Sequence, residues 1–185
     1  MTILINLLGQ PSCGKSSLSN KLVSKLKEEG FDAEYCSEYV KTWVWENRSI
    51  GPFDQFYIFG KETHNQSMLF GTVDYLAVDS PVLLTAFYHY FYNGKDTLKG
   101  VCKEFYKMAE EHGVKVLNFF LTRRKKYNPK GRYQTEEQAD QLGKDLRAWL
   151  DKEGYEYEVL NCSDDERLQI ILERLGIHEH IKEGS

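Results

Sequence analysis

Residues 9–17 read GQPSCGKSS, with four residues between Gly9 and Gly14 and with Lys15 and Ser16 directly behind. Those residue types at that spacing suit the holding of a triphosphate. Glycines let the chain fold tightly enough for successive N–H groups to converge on phosphate oxygens. A helix opening at Lys15 adds the positive end of its dipole. The stretch assigns Gly9, Ser12, Cys13, Gly14, Lys15, Ser16 and Ser17 to the phosphates of ATP. Lys15 is expected to reach the β- and γ-phosphates, and Ser16 to bind Mg²⁺ through its hydroxyl. Cys13 is read as a bystander inside the loop.

A second candidate is Asp79. It ends the apolar run DYLAVD at 74–79, and a carboxylate there is costly to bury unless it is paired or binds a metal. Asp79 is expected to place Mg²⁺ together with Ser16, directly or through water. A single Asp followed by Ser80 and Pro81 is not the acidic pair of a translocating ATPase. The Asn-Lys-x-Asp signal with which a GTPase reads its base is also missing, and LNFFLTRRKK stands in its place. A lone Asp at a strand tip beside a phosphate loop is the pattern of small-molecule kinases.

Residues 123–132 carry Arg123, Arg124, Lys125, Lys126, Lys130 and Arg132. They follow a strand that should end beside the phosphate loop. Phosphoryl transfer spreads negative charge over the γ-oxygens, and positioned arginines stabilise it. Residues 123–134 are therefore read as a lid, with Arg123, Arg124 and Arg132 acting on the transferring group and Pro129 and Gly131 shaping the loop. The same cations, interleaved with Tyr127 and Tyr133, also suit the phosphates of DNA.

The elements that must position these residues follow from periodicity. TILINLL is a continuous apolar run and predicts a buried strand. Leu18, Leu22 and Leu26 then share one face of a helix over 15–29, which Gly30 ends. DAEYCS predicts a second strand and DYLAVD a third, followed at Pro81 by a helix with Leu84, Phe87, Tyr88 and Phe91 on one face and Gly94 as its stop. VKVLNFFLT at 114–122 is β-branched and aromatic, hence a strand. TEEQ at 135–138 is a capping box before Leu142, Leu146 and Trp149. YEYEVL predicts a last strand, and SDDE at 163–166 a second capping box. Alternation of strands and helices predicts an α/β three-layer sandwich, a parallel five-stranded sheet covered on both faces, in a single domain over 1–185. Residues 38–70 carry helical spacing between the second and third strands. A helical insert there would wall a cleft at the strand C-terminal ends. Tyr39, Trp43, Gln55, Gln66 and Tyr88 are its candidates for stacking or reading a base, although most aromatics at this spacing belong to a core.

The 185 residues suit one core, and 28% charged residues with 41% hydrophobic ones describe a globular chain. The formal net charge of −4 supplies no global attraction to nucleic acid. With no long apolar run and no signal peptide, the expectation is a cytoplasmic protein with no membrane partner. Cys13, Cys36, Cys102 and Cys162 are widely spaced and read as reduced thiols.

Three segments resemble the ribosylnicotinamide kinase domain of NadR and related phage-encoded P-loop kinases: GQPSCGKSSLSNKL, CSEYVKTW and LAVDSPVLLTAFYHYFYNG. The likeness runs over roughly residues 1–94; beyond residue 115 the chain departs, and RRKKYNPKGRYQTEEQA replaces the family's usual Asp-Gly-x-Arg stretch. More distantly, the layout resembles deoxynucleoside and nucleotide kinases. The resemblance implies that Glu38 faces the acceptor hydroxyl as orienting group or base, with Lys41 one turn on either neutralising transferred charge or pairing with Glu38. The expected activity is in-line transfer of the γ-phosphate of ATP to a hydroxyl of a nucleoside- or nucleotide-like acceptor. Two alternatives stand beside it: a kinase acting on a hydroxymethylated base in phage DNA, and an NTP-binding switch without an acceptor.

Overall fold

The computed structural model describes residues 1–124, 126–128, 130 and 134–177. Lys125 and Arg132 of the expected lid lie outside the described residues, as do Pro129, Gly131 and Tyr133.

The apolar runs form the sheet. β1 (Thr2–Leu8) lies at its centre, flanked by β3 (Tyr75–Val78) and β4 (Val114–Leu121), with β2 (Ala33–Cys36) and β5 (Glu158–Leu160) at the edges, in the order β2-β3-β1-β4-β5. All the pairings are parallel. Successive side chains of a strand leave on opposite faces. Leu4 and Leu8 of β1 accordingly join Val78 and Phe120 in one core, while Ile5 and Leu7 join Ala77, Phe119 and Leu121 in the other. Both cores are sealed by helices, which is why β1 is apolar nearly throughout. Each Leu or Ile so buried is worth roughly 2 kcal/mol of transfer free energy.

α1 (Lys15–Glu28) and α7 (Asp164–Arg174) cover one face. α4 (Val82–Asn93), α5 (Thr97–Glu111) and α6 (Glu136–Glu153) cover the other. Both expected capping boxes form, Thr135 with Gln138 at α6 and Ser163 with Glu166 at α7. Gly94 caps α4 in the left-handed conformation at φ 64°. The stretch 38–70 holds two helices, α2 (Lys41–Trp45) and α3 (Asp54–Ser67).

α5 has no counterpart among the sequence-based expectations. Leu98, Cys102, Tyr106 and Ala109 make its buried stripe, but Gly100 and the many charges around it blur the pattern. Its presence puts two helices between β3 and β4. The last strand is also shorter than YEYEVL suggested, because only Phe119, Phe120 and Leu121 of β4 pair with it.

A parallel sheet sends every strand's C-terminal end to one edge. There β1 delivers Gly9, β3 delivers Asp79, β2 delivers Glu38 two residues beyond its end, and β4 delivers Arg123. The chain crosses from β1 to the β2 side and from β3 back to the β4 side, so the crevice lies where α/β sheets of this kind bind ligands.

Candidate active site

The loop from Gly9 to Gly14 turns on three residues with positive φ: Gly9 at 134°, Ser12 at 64° and Gly14 at 98°. A Cβ at Gly9 would lie 2.5 Å from the Leu121 carbonyl oxygen and 2.9 Å from the Cys13 sulfur, so no other residue fits there. Lys15, the first residue of α1, folds back over the loop and donates to the carbonyls of Gly9 at 2.9 Å and Gln10 at 3.3 Å. The loop is held from behind by Arg167 of α7. This arginine is 2% exposed and donates to the Cys13 carbonyl at 3.0 Å, to Asp164 at 3.1 Å and to the Thr122 carbonyl. Drawing the Cys13 carbonyl backward favours presentation of the loop's N–H groups on the cleft side, the arrangement that receives anions.

Asp79 lies at the meeting point of three elements and is 3% exposed. Its Oδ2 accepts the hydroxyls of Ser16 and, at 2.6 Å, of Tyr35; its Oδ1 accepts the Glu38 N–H at 2.9 Å. Three donors meet the cost of burying this carboxylate. Burial, and next the bond to Asp79, raise the Tyr35 phenol well above its ordinary value, which keeps it a donor. A serine hydroxyl beside a carboxylate is the small oxygen donor set that Mg²⁺ takes from a protein, leaving its other positions to water and phosphate. Among the described residues no group of three or more His, Cys, Asp or Glu is placed to hold a metal.

The phosphate loop, Glu38, Lys41, Gln55, Asp79 and Tyr88 all line one cleft of about 380 Å³, with the exposed Lys126, Asn128 and Lys130 at its rim. Lys41 makes no ion pair among the described residues. Gln55, at 6% exposure, also lines an adjoining groove, whose far wall includes Gln134 and Gln138.

Other expected residues do not reach this cleft. Arg123 is bound at 2.6 Å by both Glu136 and Asp140 of α6, its side chain 9% exposed. Arg124 is exposed, donating to the Asn161 carbonyl and lining a separate depression with Lys21, Cys162 and Asp165. Trp43 and Tyr39 pack within the insert: Trp43 stacks on Tyr57 at 6.2 Å and under the Arg48 guanidinium at 3.4 Å, and the Tyr39 hydroxyl bonds that of Tyr57. Gln66 is wholly buried on α3.

Sequence reading missed Tyr35, Arg167 and Glu62. Tyr35 comes near Asp79 through the pairing of β2 with β3, which sets it opposite Ala77, and no local pattern in the sequence marks that pairing. Glu62 was visible as an acid on the inward stripe of α3, with Ile58 and Phe59. For Arg167, the fourth residue of a capped helix, nothing local distinguished it.

A model of the AAA domain family matches residues 4–167. The chain belongs to that family. No curated protein matches it significantly. Among solved structures, NadR in complex with NR is similar with a TM-score of 0.73 at 15% identity, over 98% of this chain and 54% of the NadR chain. This chain therefore spans about half of that protein. Deoxyadenosine kinase from M. mycoides with bound dATP is similar at 0.59 and 16% identity, over 94% of this chain and 99% of that one. Mycobacterium tuberculosis APS kinase CysC in complex with AMPPNP and APS is similar at 0.55 and 13% identity, over 95% and 98%. The fold is one that these three proteins share. Among the described residues no helix is long and apolar enough to cross a membrane.

Proposed function

We propose that the chain is a phosphotransferase that moves the γ-phosphate of ATP to a hydroxyl of a nucleoside-like acceptor. The observation that carries this reading is the carboxylate of Asp79, which joins the Ser16 hydroxyl of the phosphate loop to the Glu38 turn of the opposite wall. A switch needs a phosphate loop but no second wall; a kinase needs both walls in register. The similar structures support the reading in kind, since their ligands are NR, dATP, and AMPPNP with APS.

Lys15 and the loop amides would hold the β- and γ-phosphates. Ser16 and Asp79 would hold Mg²⁺, which when bound neutralises phosphate charge. The nucleoside of ATP would leave the loop toward the depression beside Arg124, and the acceptor would enter the cleft between Glu38, Gln55 and Tyr88. Glu38 would accept the acceptor's proton as the phosphoryl group moves. Lys126 and Lys130 on the rim favour a second reading in which the acceptor is a hydroxymethylated base in DNA.

The test is to incubate the protein with γ-labelled ATP, Mg²⁺ and a panel of nucleosides, nucleotides and hydroxymethylated DNA, and to find where the label goes. Lys15→Ala should reduce transfer at least about tenfold while thermal unfolding stays cooperative. A variant that keeps wild-type turnover would remove the loop from the catalytic centre.

A further inference from the structure

Glu62 lies on the inward face of α3, 0% exposed. Its Oε1 accepts the Tyr39 N–H at 3.0 Å, and its Oε2 has no hydrogen-bond partner among the described residues. The preceding N–H, that of Glu38, is donated to Asp79. Two consecutive peptide N–H groups are thus bound by two buried carboxyl groups from different elements, one just beyond β3 and one in α3. A peptide unit is planar, so binding its N–H orients the whole plane. The planes on either side of the Glu38 Cα are both held, which restrains φ and ψ of Glu38 and with them the direction of its Cα–Cβ bond.

We propose that Glu62 is a positioning residue for Glu38: it pins the peptide that follows Glu38, as Asp79 pins the one that precedes it, and so keeps the Glu38 carboxylate aimed into the cleft. The proposal rests on the reading of Glu38 as the acceptor's base. It also gives the helical insert a mechanical part, because this bond ties α3, whose Gln55 lines the cleft, to the turn that carries Glu38.

The state of Glu62 follows from its surroundings. The charges acting on it are those of Glu38 and Asp79, both acidic, and the Cys36 thiol of β2 stands close enough to be affected in return. On α4, His89 is turned to Phe56 and Asn93. On α5, burial holds Cys102 and Tyr106 protonated. Burial first, and then the two acidic neighbours, push the Glu62 carboxyl up to about 8 against the opposing pull of the Tyr39 N–H. At neutral pH it is mainly a neutral acid, whose carbonyl oxygen can accept without adding charge to the site.

Two variants test this. Glu62→Gln keeps an acceptor oxygen and stays neutral, whereas Glu62→Ala removes it. Amide hydrogen exchange of Tyr39 in the nucleotide-free protein should be at least about tenfold faster in E62A and within about threefold of wild type in E62Q. With the acceptor identified by the label, kcat should fall about tenfold or more in E62A while KM for ATP holds within about twofold, and E62Q should recover most of the loss. Wild-type kcat should decline above about pH 8 as Glu62 ionises beside Glu38 and Asp79, and E62Q should lack that step. Unchanged Tyr39 exchange in E62A, or an alkaline decline identical in E62Q and wild type, would overturn the proposal. The exchange measurement needs no acceptor, so failure of the clamp and failure of the kinase reading are told apart; if E62A does not fold, the pH profile of E62Q decides.

Discussion

At the scale of the residue, Asp79 is where the two halves of the cleft meet, and its three donors are not equivalent. The Ser16 hydroxyl is the one that can turn to a metal, while Tyr35 and the Glu38 N–H are fixed by their own elements. Asp79→Asn keeps the shape but turns an acceptor-only group into one that also donates, opposite three donors. It should reduce transfer by about a hundredfold or more and raise the Mg²⁺ requirement. Tyr35→Phe removes one bond from a carboxylate that keeps two others. It should cost about 1 kcal/mol of stability and less than about tenfold in kcat. Denaturant unfolding with steady-state kinetics at several Mg²⁺ concentrations would separate the two; equal losses would mean that Tyr35 takes part in the chemistry.

At the scale of the element, the phosphate loop depends on a helix from the far end of the chain. Arg167 of α7 ties the loop at Cys13 to the end of β4 at Thr122, and it does so while buried. Removing it takes this donor from the carbonyls of Cys13 and Thr122. Arg167→Met, which keeps much of the volume, should destabilise the protein by roughly 3 kcal/mol and weaken ATP binding in the same variant. Calorimetry of unfolding and of nucleotide binding would check both; a loss of stability with unchanged affinity would show that the loop keeps its shape unaided. Arg123 plays a comparable part at α6: by pairing with Glu136 and Asp140 it anchors the root of the basic segment to the helix that follows.

At the scale of the whole molecule, a net charge of −4 opposes DNA as acceptor, while the basic rim of the cleft favours it. The two acceptors differ in salt dependence. A free nucleoside involves few phosphate contacts, and its affinity should change little with ionic strength. A DNA acceptor contacting about four phosphates would give a log–log slope near −3 to −4, and Lys126→Ala with Lys130→Ala should flatten it by about two units. Fluorescence anisotropy with a hydroxymethylated oligonucleotide across a salt series decides it. A flat series selects the small acceptor.

The sequence by itself determined the five strands, the three-layer fold, the phosphate loop and Asp79. Each is written locally: an apolar run, a glycine spacing, a capping box, or a charge at the end of a buried strand. It could also nominate Glu38, Gln55 and Tyr88 as cleft residues, because they fall just past a strand, on the insert and on the helix beside it. Only the tertiary structure decided which polar groups meet. Tyr35 and Glu38 reach Asp79 because β2 and β3 pair in one particular register, and Glu62 reaches Tyr39 because α3 packs back over the turn after β2. Arg167 reaches Cys13 across 154 positions of chain. Arg123 was legible as a cation at a strand end, but its partners lie on α6, and two carboxylates at 2.6 Å hold it there. Composition and spacing report what a residue can do. A hydrogen bond or an ion pair forms only within a few ångströms, and distances between remote segments are set by packing, which no local pattern records.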